Sequence, residues 1–217
     1  MTTKLDGPRL APAAGGAAKQ LVVFVHGYGA DGSDLIGLGR QWAKHLPHTA
    51  FASPDAPEQC PGSPGFQWFP LIQRDMAEFT AGVATAAPFL EAFIDAELER
   101  LQLQPAALAL VGFSQGTMVA LHIGLCGKIA PKAIVGYSGA LAGAETLPAN
   151  IKTRPKVLLV HGARDEVIPI AALAHARQGL TAANVPFQWY VSPDIGHGIA
   201  PDGLALGAKF LEKNLLR

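Results

Sequence analysis

The chain has 217 residues, with 17 Lys plus Arg balanced against 17 Asp plus Glu, so no overall field exists to gather nucleic acid or an anionic membrane surface. Hydrophobic residues make up 49% and charged residues 16%, which excludes an intrinsically disordered chain and suits one large α/β domain or at most two small ones. Cys60 and Cys126 are too few for a disulfide framework and fit two structural thiols in a reducing compartment.

Residues 1–20 carry Lys4 and Arg9 but no uninterrupted apolar stretch, so they do not read as a signal peptide. With the small, Gly-rich segment 11–18 they read as a flexible leader before a single domain over 21–217. No run approaches the ~18 apolar residues of a spanning helix, and a soluble cytoplasmic protein with no integral membrane association is the expectation. Residues 21–25 form a short, continuous apolar run before Gly27 and Gly29, the pattern of a strand buried on both faces. The pattern returns at 107–111, 133–135 and 157–160, and 187–191 reads as a further strand with aromatic weight.

Helical patterns fall between these runs. Leu35, Leu38, Trp42 and Leu46 mark one face, with Ser33 or Asp34 as N-cap, and Phe89, Leu90, Phe93, Ile94 and Leu98 mark another that Pro88 opens. Further helices are expected over 117–125, 170–182 and 204–215. Alternation of this kind predicts a mostly parallel central sheet with helices on both faces. The irregular region 53–69, with Pro54, Pro57, Pro61, Pro64, Gly62 and Gly65, is expected to be a functional loop ending in the exposed aromatics Phe66, Trp68 and Phe69.

Gly112-Phe113-Ser114-Gln115-Gly116 follows the run 107–111 and precedes a helix, the context in which Gly-x-Ser-x-Gly lifts a serine out of a sheet on a strained turn. A serine hydroxyl needs a neighbouring base, and two groups downstream supply the order Ser, acid, His. Asp165, in His161-Gly162-Ala163-Arg164-Asp165, follows the strand at 157–160, and His197, in Gly196-His197-Gly198, follows the last strand. His197 would take the Ser114 proton during attack on an ester carbonyl, and Asp165 would fix the imidazole tautomer. Glu166, Asp194 and Asp202 are the competing acids, Asp194 being placed to shape the histidine loop.

Two backbone N–H groups would complete an oxyanion hole: that of Gln115, and one from the loop 26–31, where Tyr28 is the choice. His26 and His161 end core strands and are expected to tie loops together rather than move protons. His45, His48, His122 and His175 fall on ordinary positions, and no cluster has metal-ligand spacing.

These motifs, with Trp68-Phe69 and with Val167 and Pro169 behind Asp165, resemble the phospholipase/carboxylesterase family of α/β hydrolases, which includes acyl-protein thioesterases and small bacterial serine esterases. The resemblance implies an α/β-hydrolase fold without a large cap domain, esterase activity on a small-molecule ester substrate, no cofactor, a cytoplasmic setting and often a homodimer. It assigns Ser114, Asp165 and His197 to the triad, the amides of Tyr28 and Gln115 to the oxyanion hole, and Trp68 and Phe69 to the lining of the acyl site. Leu71 and Ile72, or Val167 and Ile168, are further candidates for that wall. Thr117 and Pro70 depart from the family pattern, and simple ester hydrolysis is the stronger expectation beside a lysophospholipase, an acyl-protein thioesterase or a non-catalytic ligand-binding protein.

Overall fold

The computed structural model describes residues 4–216. In chain order the elements are β1 (Arg9–Leu10), β2 (Gln20–Val25), α1 (Gly32–Trp42), β3 (Thr49–Ala52), β4 (Glu58–Gln59), β5 (Phe66–Gln67) and α2 (Met76–Leu101). There follow β6 (Leu108–Phe113), α3 (Gln115–Cys126), β7 (Ala133–Tyr137), α4 (Leu147–Asn150), β8 (Lys156–Gly162), α5 (Ala171–Ala182), β9 (Phe187–Ser192) and α6 (Pro201–Leu215). Among the described residues, seven strands form one sheet in the order β1-β3-β2-β6-β7-β8-β9. Every pairing is parallel except that of β1 with β3. This is the mostly parallel sheet that the alternating pattern predicts, in the α/β-hydrolase type of fold that the resemblance implies.

The period of two along a strand sends alternate residues to opposite faces, and both faces are covered. From β2, Leu21, Val23 and Val25 join a core with Leu90 and Ile94 of α2, Leu121 of α3 and Leu180 of α5. Val22 and Phe24 join the other core, with Trp42 of α1 and Leu211 of α6. Coverage on both sides explains why the central strands read as unbroken apolar runs rather than alternating ones.

Three expectations are corrected, and one strand is added. Residues 4–20 are not a free leader: Leu5 is buried, Arg9 and Leu10 pair with Ala52 and Phe51, and Arg9 Nε donates to the buried Glu97 of α2 at 2.8 Å. The strand β3 was not expected because Thr-Ala-Phe-Ala has little β-branched weight, and tertiary pairing with β2 overrides its weak propensity. Pro88 lies inside α2 rather than at its start; Asp75 caps the helix by accepting from the Glu78 N–H at 2.8 Å, and Phe79 and Val83 bury the added turns. Pro88 and Ala84, four residues back, both face solvent, so the carbonyl that loses its intrahelical partner there is open to water. Asp31, rather than Ser33 or Asp34, caps α1 by accepting from the Ser33 N–H at 2.7 Å.

Candidate active site

Ser114 sits between β6 and α3 at φ 53° and ψ −118°, outside the regions that a residue with a Cβ ordinarily occupies. Such strain costs about 1–3 kcal/mol and persists only where the surroundings over-determine it. Here the Ser114 N–H donates to the Tyr137 carbonyl of β7 at 2.9 Å, and the Thr117 N–H donates to the Ser114 carbonyl at 3.0 Å. A side-chain carbon at Gly116 would collide with the Val25 carbonyl of β2, so only glycine lets α3 leave this close to the sheet.

Around Ser114 the carboxyl ends of β6, β8 and β9 bring together side chains 83 and 32 residues apart. His197 Nε2 lies 3.0 Å from Ser114 Oγ, and its Nδ1 lies 2.9 Å from Asp165 Oδ2. The Asp165 side chain is fully buried, and its Oδ1 accepts from the backbone N–H groups of Val167 at 3.0 Å and Ile168 at 2.9 Å. These bonds aim the free carboxylate edge at the imidazole. With Asp165 accepting at Nδ1, that nitrogen carries the proton, which leaves Nε2 free to accept from the serine hydroxyl. Phe113 packs its ring 5.0 Å from that of His197, and Ser138 Oγ donates to the Gly198 carbonyl at 3.2 Å, steadying the histidine loop.

The competing acids are occupied elsewhere or turned outward. Asp194 pairs with Arg164 at 3.0 Å, Asp202 accepts from Tyr190 and Ser192 at the start of α6, and Glu166 is exposed. His26 accepts from the Ala56 N–H through Nε2 at 3.0 Å and places Nδ1 2.7 Å from the Gly27 carbonyl, a neutral ring that joins two loops. Burial depresses its pKa. His161, 2% exposed, places Nε2 2.8 Å from the Ile168 carbonyl and 3.4 Å from Asp165 Oδ2, so it braces the Asp165 turn, a contact that the spacing His161-x-x-x-Asp165 could have suggested.

The turn carrying Tyr28 is clamped to the β4–β5 hairpin: Gly29 N–H donates to the Phe66 carbonyl at 2.9 Å, and Phe66 N–H returns a bond to Ala30 at 2.7 Å. Gly65 rests directly on the Gly29 carbonyl, where no side chain fits. As the first residue of α3, Gln115 has no intrahelical acceptor for its N–H, and neither that group nor the Tyr28 N–H has a protein partner among the described residues. Two unspent backbone donors thus belong to residues that line the cleft with Ser114, one of them on a residue only 1% exposed.

Trp68 and Phe69 do not line the cleft, which corrects the expectation for both. Each is 1% exposed in the core. They hold the site from behind: Trp68 N–H donates to Gln115 Oε1 at 2.9 Å, Gln115 Nε2 donates to the Phe69 carbonyl at 2.8 Å, and Trp68 Nε1 donates to the His26 carbonyl at 2.9 Å. Thr117 spends its hydroxyl on the Tyr137 carbonyl at 2.9 Å, its methyl group filling space beside Gly136 and Gly139. The cleft, about 390 Å³, opens on Ser114 and His197 and is walled by Leu71, Met76, Phe79, Met118, Leu141, Val167 and Ile168. Of the four apolar candidates for that wall, Ile72 alone is turned away, 77% exposed. Among the described residues no His, Cys, Asp and Glu side chains are grouped to hold a metal ion, and no described helix is long and apolar enough to cross a membrane.

Residues 12–215 match the family described as Phospholipase/Carboxylesterase. The chain is 30% identical over 178 residues to acyl-protein thioesterase 1 of Schizosaccharomyces pombe, covering 78% of each chain. It is 25% identical over 182 residues to the esterase YpfH of Escherichia coli, covering 84% of this chain and 77% of that protein. Among solved structures, esterase PE8 superposes with a TM-score of 0.93 at 42% identity, over 98% of this chain and all of that one. With a match across nearly its whole length and a fold to agree, the chain belongs to the phospholipase/carboxylesterase family of α/β hydrolases, enzymes that hydrolyse carboxylic esters.

Proposed function

We propose that the chain is a serine carboxylesterase acting on short- to medium-chain esters through a Ser114–His197–Asp165 triad and an acyl-enzyme intermediate. One observation carries the reading: a single imidazole bridges the serine hydroxyl and a buried carboxylate, at 3.0 and 2.9 Å. In the first step His197 Nε2 takes the hydroxyl proton as Ser114 Oγ bonds to the ester carbonyl carbon, and the carbonyl oxygen becomes an oxyanion facing the Tyr28 and Gln115 amides. The tetrahedral species collapses, the C–O bond to the alcohol breaks, and His197 returns the proton to the departing oxygen. Water then repeats the sequence on the acyl-serine, releasing acid and free enzyme. Asp165 stabilises the imidazolium in both halves.

The strained backbone at Ser114 suits this role, since it holds the nucleophile at the mouth of α3, whose N-terminus favours developing negative charge. An open cleft of about 390 Å³ suits short or medium acyl groups. The two unpaired thiols fit action in the cytoplasm. The similarity to a yeast protein named acyl-protein thioesterase favours a second reading, hydrolysis of long acyl thioesters.

The test is a fluorophosphonate probe with peptide mapping, alongside p-nitrophenyl esters of rising acyl length, a palmitoyl thioester and a lysophospholipid. Labelling on the 112–116 segment and a rate maximum at short or medium acyl length are expected. An adduct on another residue, or none on folded active protein, removes the serine assignment; a rate that climbs steadily to the palmitoyl thioester selects the second reading.

A further inference from the structure

Over Ser114 the cleft walls are mostly apolar, with Tyr28, Gln115 and His175 as polar members and Arg74 as the one Lys or Arg. Arg74 lines the cavity beside Leu71 and Met76, and no Asp or Glu does. Two carboxylates adjoin Arg74 in sequence, and both are spent on backbone. Glu78 accepts from the N–H groups of Ile72 at 2.7 Å, Gln73 at 3.3 Å and Arg74 at 2.6 Å, which holds its carboxyl below the ordinary range. Asp75 caps α2 through the Glu78 N–H. The turn is thereby fixed with Arg74 at φ 57°, a left-handed conformation disfavoured for a residue with a Cβ. The guanidinium itself has no hydrogen bond or ion pair among the described residues. Its charge is felt by the Tyr28 phenol, pulling against the burial and the Cys60 contact that raise that group.

A strained turn braced by two carboxylates thus places the exposed, unpaired Arg74 on a mostly apolar cavity that holds Ser114. A neutral ester offers that cation only an uncharged carbonyl oxygen, a weaker partner than an anion that takes two charge-assisted hydrogen bonds. We propose that Arg74 selects esters carrying an anionic group, a carboxylate or a phosphate, in addition to an apolar chain. The guanidinium fork matches either anion with two parallel hydrogen bonds, and the apolar walls beside it strengthen the pairing relative to open water. The inference rests on Ser114 being the nucleophile of an esterase, and names the substrate class of that site.

The experiment uses the intact protein in a pH-stat with two matched pairs: methyl hexanoate against monomethyl adipate, and 1-hexanoylglycerol against its 3-phosphate. The readout is the ratio of kcat/KM for the anionic over the neutral member. In at least one pair the Arg74→Gln variant is expected to lower this ratio at least tenfold, through KM, while Arg74→Lys retains much of it. A fall in the adipate pair places the anion at the acyl end, and a fall in the phosphate pair places it on the leaving alcohol. Ratios unchanged by Arg74→Gln in both pairs overturn the proposal. Should that variant fail to fold, the wild-type ratios decide: they are expected to drop severalfold between 20 and 500 mM salt, and insensitivity overturns the proposal equally. Ser114→Ala is run on all four esters, since turnover surviving there sinks the serine reading and leaves the Arg74 result to be judged separately.

Discussion

The two sides of the cleft are built on different terms. Behind Ser114, almost every polar atom is committed: Asp165 takes two backbone bonds and a histidine, Gln115 ties the start of α3 to Trp68 and Phe69, and Ser114 is strained but tied to β7. On the substrate side, Val167 is 59% exposed and Arg74 is unpaired. Chemistry is held by backbone geometry at strand ends, where a small displacement is costly. In the proposed reading, part of the selectivity falls to exposed side chains, Arg74 and Val167, that can change without disturbing the sheet.

That contrast can be broken most forcefully at its centre. Ser114→Ala is expected to lower kcat by at least about 10⁴-fold at unchanged circular dichroism, because triad members act as a unit; turnover within tenfold of wild type contradicts the assignment. Asp165→Asn should cost on the order of 10³–10⁴ in kcat by allowing the wrong imidazole tautomer, and stopped-flow ester hydrolysis would show it. Gln115→Ala removes both bonds of a buried clamp, and urea unfolding should register a loss of about 2–4 kcal/mol, with a slower chemical step as the Tyr28 loop drifts from the nucleophile. Stability within 0.5 kcal/mol of wild type would mean that the clamp is idle.

The pH dependence is gentler. Burial depresses the pKa values of His26 and His122 in the folded state, so below the ordinary value near 6.5 the unfolded chain binds more protons and stability declines as pH falls. Their contribution is complete above that value. Urea midpoints between pH 7.5 and 5 should show the decline, and a His122→Gln variant should show a shallower one. On the substrate wall, Val167→Ser is expected to raise KM a few-fold for an apolar ester and to move stability by no more than about 0.5 kcal/mol; a large loss of stability there would erase the contrast between the two sides.

The parts legible in the sequence are those in which local pattern and role coincide. A run of apolar residues, a glycine, a serine and a second glycine announce a strand, a turn and a helix within ten positions, and Asp165 and His197 follow later strands in the same grammar. Trp68 and Phe69 show where this stops: aromatic character foretells burial but not direction, and both turn into the core, Phe69 against Gly82 of α2. Pro88 misleads for a related reason, since a proline is tolerated inside a helix whose flank faces water. Arg74 carries no motif at all; its place depends on Glu78 folding back over three amides. The strand β3 is hidden by its alanines and emerges only through its partner.

The sheet has two rims, and they are guarded unequally. On one, the two residues of β1 run against the grain of the parallel array and occupy the outer hydrogen-bonding groups of β3. On the other, β9 ends the array with Trp189 half exposed beneath the Arg177 guanidinium, 4.0 Å from its ring centre. A free strand edge is a template for another chain, so the short reversed arm near the amino terminus works as a bolt against lateral growth. A chain trimmed to start at residue 21 would lose that bolt together with the buried Leu5 and the Arg9 partner of Glu97.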